Sequence, residues 1–472
     1  MVLAGSIIAE LVAIVGQNNC TTREEDLHCY SFDGSKKQSL PDCLLFVSSA
    51  QQVSNILKVA NSHKIPVVAR GSGSGMTGGA VATHGGIVLA MAAMDQIVEI
   101  DKDNQVAIVE PGVINQDLQT TLKPLGLFYP PDPASMAFCT IGGNVALCAG
   151  GPSAVKYGVT KDHVLGLEVV LADGRIIHTG TRTEKGVVGY DLTRLFIGSE
   201  GTLGIITRIT VRLTTAPECT RTYLVQSPDL SLITTLVAKI LNQGITPRTL
   251  EYLDQRALSV VGDMLDNSFP KNTRGILILE LDGDAGHVDQ EEKQLLELLN
   301  HYDQITVDRA TTDHEVAAIW QARRSVSPAA FNHRPNKISE DVAIPRSRIP
   351  QLVEFTEQLN GELSVIIFTF GHAGDGNIHV NIMYDRSEPD QCRDAETARL
   401  KIFEKTVALE GTLSGEHGVG LTKSSFINME LDQDTLALSR ELKSFLDPNN
   451  ILNPGKIFPA KVENSQKTID TL

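Results

Sequence analysis

Two histidines lie on either side of a short turn in the last third of the sequence. The stretch from Phe370 to His379 reads FGHAGDGNIH, so that His372 and His379 flank an Asp375-Gly376 pair. If this pair forms a two-residue hairpin turn, His372 lies directly opposite His379 on one face of the hairpin. Opposed residues have Cβ atoms about 4.5–5.5 Å apart, which would let both imidazoles bind one metal ion. The alternative is a pair of ordinary strand histidines.

A second cluster, Ser414-Gly415-Glu416-His417-Gly418-Val419-Gly420, bears on that choice. Its glycines allow the sharp turn that would bring Glu416 and His417 to the same site. Zinc and manganese accept imidazole and carboxylate ligands, and a catalytic metal keeps positions open for substrate. We therefore predict that His372, His379 and Glu416 bind a metal, with His417 beside it as general base. The spacing alone leaves the metal site and the strand histidines both open.

A glycine-rich segment follows a predicted strand near residue 70. Residues 70–79 read RGSGSGMTGG, which matches the spacing of the dinucleotide-binding fingerprint. That fingerprint requires a helix to begin at the glycines, but residues 79–88 read GAVATHGGIV and do not favour one. The phosphate-binding P-loop is also excluded, because Gly79 stands where a lysine is required. We predict a loop whose backbone N–H groups surround a pyrophosphate, in preference to a flexible linker, because apolar residues bound the loop on both sides.

Two more glycine loops are predicted in the same half of the chain. Residues 140–145 follow a proline-rich turn at residues 130–133, and the other loop spans residues 198–206. Three such loops indicate that the cofactor is extended.

Composition restricts the class of protein. The chain has 472 residues, 42% of them hydrophobic, and a formal net charge of −16, which argues against nucleic acid or anionic membranes as electrostatic partners. Its seven cysteines include no Cys-x-x-Cys pair, which suits a reducing cytosol and specifies neither an iron–sulfur cluster nor a structural zinc site. The apolar N-terminus is interrupted by Glu10 and predicts an amphipathic helix, not a signal peptide. No apolar run is long enough to span a membrane. We expect a cytoplasmic protein, with peripheral attachment at the inner face of the membrane left open.

The pattern of elements divides the chain into four parts. We predict a helical segment at residues 1–41 and a polar tail at residues 458–472. Between them we predict short strands separated by glycine turns at residues 42–215, and longer helices alternating with strands at residues 216–457. The clearest predicted elements are hairpins turning at residues 102–104 and 173–174, helices at residues 51–62, 230–241 and 290–299, and a strand at residues 275–281. The predicted class is α+β.

Taken together and in order, these segments resemble the vanillyl-alcohol oxidase / p-cresol methylhydroxylase flavoprotein superfamily. More narrowly, they resemble its D-2-hydroxyacid dehydrogenase branch, which includes D-lactate dehydrogenases, the flavin subunit of glycolate oxidase and D-2-hydroxyglutarate dehydrogenase. The resemblance covers roughly residues 42–457 and is carried by residues 70–79, 130–135, 140–145, 198–206, 371–379, 415–420 and 453–456. It implies a two-part p-cresol methylhydroxylase-type FAD-binding domain followed by an α+β cap domain that binds substrate.

The resemblance also assigns roles to residues. Ser72 and Ser74 stand where some members carry a flavin-linked histidine, which implies non-covalent FAD. It supports His372, His379 and Glu416 as ligands of zinc or manganese (or iron) and His417 as base. Arg323 would bind the substrate carboxylate; its neighbour Arg324 is the rival, and either could be a surface cation on a helix. The implied FAD-binding residues are Arg70, Gly71, Ser72, Gly73, Ser74, Gly75, Met76, Thr77, Gly78, Gly79, Pro131, Asp132, Ser135, Thr140, Gly142, Gly143, Asn144, Glu200, Gly204, Ile205, Ile206 and Asn453.

The implied activity is oxidation of a D-2-hydroxy acid to the 2-oxo acid, with hydride transfer to flavin. D-lactate is the first substrate expected, followed by glycolate and D-2-hydroxyglutarate. Because the sequence carries no nicotinamide, haem or iron–sulfur motif, electrons would pass to a quinone, a cytochrome, an electron-transferring flavoprotein or an iron–sulfur subunit. Two alternatives remain, an oxidase of a sugar or aldonolactone and a non-catalytic FAD-binding electron-transfer subunit.

Overall fold

The computed structural model describes residues 3–261, 270 and 272–459. Most of the predicted polar tail, residues 460–472, lies outside the described residues. Within the described part of the chain, no helix is both long enough and apolar enough to cross a membrane.

The first part of the chain builds a small sheet with the strand order β1-β2-β4-β3, in which β2, β4 and β3 run parallel. Helix α3 covers it, because Val53, Ile56, Leu57 and Ala60 recur at helical spacing and pack on the strands. Ser49 caps this helix by accepting a hydrogen bond from the Gln52 N–H. The elements are α1 Gly5–Val15, β1 Cys20–Thr21, α2 Glu24–Cys29, β2 Cys43–Phe46, α3 Ala50–His63, β3 Val67–Arg70 and β4 Ile87–Ala90.

A second, antiparallel sheet follows, with the strand order β5-β6-β10-β8-β9. Both predicted hairpins are confirmed, because β5 pairs with β6 and β8 pairs with β9. The short strands β7 and β11 pair with each other. The elements are β5 Ile97–Asp101, β6 Val106–Val109, α4 Asn115–Leu122, β7 Leu127–Phe128, α5 Ile141–Leu147, α6 Ala154–Tyr157, α7 Thr160–His163, β8 Val164–Val170, β9 Ile176–Gly180, α8 Leu192–Phe196, β10 Ile205–Arg212 and β11 Thr214–Thr215.

The rest of the chain forms a seven-stranded antiparallel sheet with the order β15-β12-β14-β13-β17-β18-β16. The predicted helices at residues 230–241 and 290–299 and the strand at residues 275–281 are all present. The first helix and the strand extend one and two residues further, and the second helix begins five residues earlier than expected. The elements are β12 Cys219–Ser227, α9 Leu230–Asn242, β13 Thr249–Asp254, α10 Gln255–Val261, β14 Gly275–Gly283, α11 Ala285–Leu299, β15 Thr306–Arg309, α12 Asp313–Ala329, β16 Asn336–Ala343, α13 Ile349–Glu362, β17 Ile366–His372, β18 Asn377–Tyr384, α14 Pro389–Ala408 and α15 Gln433–Leu446.

The two faces of this large sheet differ in chemistry, because side chains alternate along each strand. One face carries residues such as Tyr223, Leu279 and Val380, which pack against α9, α11, α13 and α14. The opposite face is apolar only where α10 and α12 cover it. Elsewhere that face carries a row of polar residues on five strands, all of them buried except the half-buried Ser339: Glu280, Thr249, Glu251, His372, His379, Asn381, Ser339 and Asp341.

One predicted loop is wrong. Residues 141–147 form helix α5, capped by Thr140, whose hydroxyl accepts a hydrogen bond from the Gly143 N–H. The glycines there serve close packing, since a Cβ on Gly142 would lie 2.5 Å from the Pro111 side chain. Glycine frequency alone does not distinguish this need from that of a turn.

Sequence order and spatial order differ at both ends of the described chain. Helix α1 packs against α3. Near the other end, Leu452 forms a β-bridge to Val67, which brings the segment after α15 back to the first sheet.

Candidate active site

A large cavity separates the first two sheets from the polar face of the seven-stranded sheet. Its volume is about 1150 Å³. Most of the residues predicted to bind a cofactor line it: Arg70, Gly71, Ser72, Gly73, Ser74, Gly75, Met76, Thr77, Gly79, Asp132, Ser135, Thr140, Gly142, Gly143, Asn144, Glu200, Gly204, Ile205 and Ile206. The three predicted glycine segments thus meet along one wall. The predicted metal ligands, His417, Arg323 and Arg324 line the opposite wall.

Three predicted cofactor residues are not among those lining the cavity. A Cβ on Gly78 would lie 2.8 Å from the Leu421 side chain, the Pro131 carbonyl accepts a hydrogen bond from Asn115 Nδ2, and Asn453 lies behind the loops. The Asn453 Nδ2 donates to the carbonyls of Gly79 and Glu200, at 2.8 Å each. Asn453 is therefore placed to hold two lining segments together.

The cavity wall fits an elongated cofactor with polar groups. The Nδ2 of Asn144 is buried and has no hydrogen-bond partner among the described residues, although Asn144 lines the cavity. A buried amide donor normally has a partner, so this one indicates a ligand acceptor. The loop at residues 71–79 contains no helix, as predicted, which leaves several backbone N–H groups at the cavity wall.

The predicted pairing of the two histidines is wrong by two residues, although their shared face is confirmed. His372 pairs with Asn377, and His379 pairs with Phe370. Four residues, 373–376, connect the strands in place of two. Because the shift is an even number of residues, both histidines stay on the polar face, with ring centroids 5.1 Å apart.

His372, His379 and Glu416 come together as a candidate metal site. One donor atom from each lies within 4.8 Å of the other two. Glu416 Oε1 lies 3.3 Å from His372 Nε2 and 3.6 Å from His379 Nε2. Two imidazoles and a carboxylate are a donor set that zinc, manganese or iron accepts, with positions left for substrate. Burial opposes ionisation of Glu416, but the adjacent His372 more than offsets it, so that the pKa of Glu416 falls to about 2.

Glu251 fixes the orientation of His372. The His372 Nδ1 donates to Glu251 Oε1 at 2.5 Å, which leaves Nε2 directed at Glu416. The other oxygen, Oε2, accepts a hydrogen bond from Arg323 Nε at 2.6 Å and lies 2.5 Å from an Nη atom of the same guanidinium. Burial alone would raise the pKa of Glu251. The positive charges of Arg323 and His372 outweigh burial, so the pKa of Glu251 is lowered to about 2. Such carboxylate–histidine pairs are typical of metal-binding histidines.

Asp341 fixes His417 in the same way. The His417 Nδ1 lies 3.2 Å from Asp341 Oδ1, and the backbone N–H groups of Glu416 and His417 both donate to Asp341 Oδ2 at 2.8 Å. Lys423 completes the buried ion pair with Asp341. Burial lowers the pKa of His417, but Asp341 outweighs this effect and the pKa is raised on balance. The His417 Nε2 faces the cluster, 3.8 Å from Glu416 Oε1.

The two candidate arginines differ in environment. Arg323 is 8% exposed, pairs with Glu251, and holds its guanidinium carbon 4.7 Å from the centre of the Phe370 ring. Arg324 is exposed, although it also lines the cavity. Arg323 is thus the more rigidly held cation beside the candidate metal site.

Sequence reasoning missed Glu251 and Asp341 at this site. It also missed Asn381 and Lys337, which lie on the same face of the sheet but are not among the residues that line the cavity. Among the described residues, the buried Asn381 Nδ2 has no partner. Lys337 donates to Ser327 Oγ at 2.7 Å, and burial lowers its pKa to about 8. A signal existed for Glu251, which stands between Leu250 and Tyr252 on a buried strand, because a buried carboxylate needs a partner. Asp341 follows Glu340 on a strand of mixed composition, so its sequence context carries no such signal.

Comparisons with known proteins identify the family of both halves of the chain. Residues 41–180 match the model of an FAD binding domain, and residues 216–457 match that of the C-terminal domain of FAD linked oxidases. The chain is 41% identical to glycolate oxidase subunit GlcD of Bacillus subtilis (strain 168), over 95% of this chain and 96% of that protein. It is 33% identical to a probable mitochondrial D-lactate dehydrogenase of Danio rerio, over 90% and 86% of the two chains.

The fold has a solved counterpart. A crystal structure of p-cresol methylhydroxylase with substrate bound superposes with a TM-score of 0.80, covering 96% of each chain at 18% identity. The expected p-cresol methylhydroxylase-type fold, with an FAD-binding domain followed by a cap domain, is confirmed.

Proposed function

Because the chain belongs to the FAD-linked oxidases, a family of flavin-dependent oxidoreductases, we propose that it oxidises a short D-2-hydroxy acid to the 2-oxo acid, with D-lactate as the substrate. The observation that supports this most strongly is the cluster of two histidines, a glutamate and an adjacent histidine on the wall facing the glycine loops. A hydroxy acid presents a hydroxyl and a carboxylate, which are the two groups that such a cluster and a nearby arginine can bind.

FAD, when bound along the glycine-loop wall, supplies the hydride acceptor. The residues that would hold it include the loop at residues 71–79 and the unpaired amide of Asn144. Ser72 and Ser74 fit the expectation that the cofactor is held without a covalent bond.

A divalent metal, zinc, manganese or iron, supplies Lewis acidity when bound by His372, His379 and Glu416. Glu251 keeps the Nε2 of His372 available for this role, since its Oε1 occupies Nδ1. The ligands are therefore oriented before the metal arrives, which lowers the cost of binding.

His417 accepts the proton of the substrate hydroxyl in this proposal. Its Nδ1–H is directed to Asp341, so that Nε2 carries the free lone pair and faces the metal cluster. The backbone hydrogen bonds from residues 416 and 417 to Asp341 hold the ligand and the base at a fixed separation.

Arg323 would orient the substrate carboxylate. Arg323 is immobilised by Glu251 and Phe370, and it lines the cavity. A guanidinium held in this way can bind a carboxylate with defined geometry. Together with the candidate metal site, Arg323 would present the C2–H of one enantiomer to the flavin.

Glycolate is the second candidate substrate. It is favoured by the 41% identity to a protein named as a glycolate oxidase subunit. Glycolate lacks one methyl group of D-lactate, a difference worth about 1–3 kcal/mol in an apolar pocket, so that overlapping activity is expected. The electrons would leave the reduced flavin for an acceptor other than a nicotinamide, such as a quinone, a cytochrome, an electron-transferring flavoprotein or an iron–sulfur subunit.

Steady-state turnover with an artificial electron-accepting dye tests the proposal. D-lactate should be oxidised to pyruvate, glycolate should be oxidised within about 200-fold of that efficiency, and L-lactate should be inactive. Oxidation of L-lactate at the rate of D-lactate, or of neither D-lactate nor glycolate, would contradict the assigned substrate class.

A further inference from the structure

The loop that carries Glu416 and His417 is bonded to both walls of the cavity. On one side Asp341 of the cap sheet accepts its backbone N–H groups. On the other side the same loop contacts two segments of the FAD-binding domain, residues 71–79 and residues 198–204. His372 and His379 lie on the sheet, so that Glu416 alone of the three ligands depends on this loop.

Glu200 provides the first contact with the FAD-binding domain. Its carboxylate accepts hydrogen bonds from the Val419 N–H, at 2.7 Å, and from the Gly420 N–H, at 2.9 Å. Glu200 is 6% exposed and lines the cavity. Both oxygens are therefore used by the loop that follows the metal ligand, although the residue itself lies at the predicted cofactor wall.

Thr77 provides the second contact. Its hydroxyl donates to the carbonyl of His417 at 3.2 Å, and its own carbonyl accepts the Leu421 N–H at 2.7 Å. The two backbones approach so closely that a Cβ on Gly420, whose φ is +50°, would lie 2.3 Å from the Thr77 oxygen. Thr77 belongs to the glycine segment that lines the cavity.

We propose that Glu200 and Thr77 are positioning residues that couple cofactor binding to metal binding, an inference that rests on the function proposed above. A cofactor bound along the cavity wall fixes the segments that contain these two residues, and they in turn fix the backbone that carries Glu416. Each ligand therefore binds more tightly when the other is present. The coupling is reciprocal, because the same free-energy difference raises both affinities.

The test measures the affinity for FAD with and without Zn²⁺, by flavin fluorescence on the full-length protein, and the affinity for Zn²⁺ by competition with a chelator. In the wild type, Zn²⁺ should tighten FAD binding about tenfold, within the usual range of such coupling. In Glu200→Gln this factor should fall below about twofold, because an amide can accept only one of the two backbone N–H groups and opposes the other.

A second variant and a matched control separate coupling from folding. Thr77→Val removes the hydrogen bond to His417 while nearly preserving side-chain volume, and it should reduce the coupling without loss of the fold. Glu430→Gln alters a carboxylate that bonds the Thr412 hydroxyl and the Leu413 N–H within the cap domain, and it should retain the full factor.

Three outcomes overturn the inference. If Zn²⁺ and FAD both bind the wild type but independently, the coupling is refuted while the proposed function stands. If Glu200→Gln and Thr77→Val bind both ligands with undiminished coupling, these residues do not carry it. If the wild type binds FAD but no Zn²⁺, Mn²⁺ or Fe²⁺, the metal role in the proposed function fails as well.

Discussion

At the scale of single residues, two buried carboxylates organise the candidate active site. Glu251 directs His372, and Asp341 directs His417, so that the two imidazoles differ in partner and in proposed role. Ionisation of either acid costs free energy, because burial disfavours the charged form of each. The cations and backbone donors around them offset that cost.

Replacing His417 by alanine should lower turnover by about 10²–10⁴, the usual contribution of a general base. Bound FAD and bound metal should be retained, since His417 is not one of the proposed ligands. The measurement is dye-coupled turnover together with the flavin spectrum and metal content. Near-wild-type turnover in this variant would reject the assigned role.

Replacing His372 by alanine, or Glu416 by glutamine, should remove the bound metal and the activity together. Each supplies one of three donors, and loss of a donor leaves an incomplete set. Metal content measured by atomic emission checks this, with His333→Ala as a control that alters a cap-domain histidine away from the cluster. Full metal stoichiometry in the Glu416 variant would contradict its assignment as a ligand.

Asp341→Asn should lower turnover about 10–100-fold, the usual effect of losing a hydrogen-bond partner behind a site residue. The amide can replace one acceptor position but not the charge that faces His417 and Lys423. Glu340→Gln is the matched control, because Glu340 also faces Lys423, at 3.6 Å, without an observed contact to His417. Equal losses in the two variants would indicate that only the Lys423 pairing matters.

At the scale of elements, the alternation of side chains along a strand explains why His372 and His379 share a face although their predicted pairing was wrong. The sequence places His372 and His379 on paired strands flanking a turn, but turn length depends on contacts that local sequence does not reveal. The Gly374 N–H donates to the Leu250 carbonyl, and the Ile344 N–H donates to the Gly376 carbonyl. These contacts come from residues distant in sequence, and they stabilise a connection of four residues. Because the pairing shifts by an even number of residues, both histidines still lie on the same face of the sheet.

Local sequence also fails to predict helix α5. Its glycines resemble those of the loop at residues 71–79, and the difference depends on the Thr140 cap and on packing against Pro111. By contrast, the helix at residues 50–63 was predictable, because its apolar spacing and its serine cap are both local. Local signals therefore predict most elements, whereas the partners Glu251 and Asp341 require the sheet.

Asp254 joins three elements and gives a prediction about pH. It accepts hydrogen bonds from the N–H of Ala257, the N–H of Thr369 and the Thr369 hydroxyl. Burial outweighs these hydrogen bonds and raises the pKa of Asp254 to about 6. The folded chain therefore binds this proton more tightly than the unfolded chain, and the contribution of Asp254 to stability falls as the pH rises from about 4 to about 6.

Asp254→Asn should destabilise the protein, by about 1–3 kcal/mol at neutral pH, because the amide nitrogen cannot accept from Thr369. The difference in melting temperature between wild type and variant should be larger at about pH 5.5 than at about pH 7.5. Thermal unfolding across this range measures it. A difference that grows with pH would show that the carboxylate, not the carboxylic acid, is the favoured form in the folded chain.

At the scale of the whole molecule, the cavity exists because distant parts of the chain close around it. Lys156 and Tyr157 of the FAD-binding domain bond to the buried carboxylate of Asp282 in the cap domain, at 2.6 and 2.8 Å. Leu452 and Asn453 return to the first sheet after the cap domain has been completed. The change from short strands with glycine turns to longer helices with strands predicts two large domains. The contacts that join the two domains are tertiary, so the sequence pattern does not predict them.

Net charge sets a further condition at this scale. The chain carries a formal charge of −16, so an anionic hydroxy acid is attracted only by local cations. Arg323, Arg324 and a bound divalent metal would provide them at the cap wall. We therefore expect substrate binding to depend on the metal as well as on the arginines.

The most direct test of the central claim is the anaerobic visible spectrum of the FAD-loaded protein before and after excess substrate. With metal bound, D-lactate or glycolate should bleach the flavin bands and L-lactate should not. Chelation should abolish the bleaching, and added Zn²⁺ or Mn²⁺ should restore it. Flavin that stays oxidised with every hydroxy acid, or that is reduced equally well after complete removal of the metal, would contradict metal-assisted oxidation of a D-2-hydroxy acid by this chain.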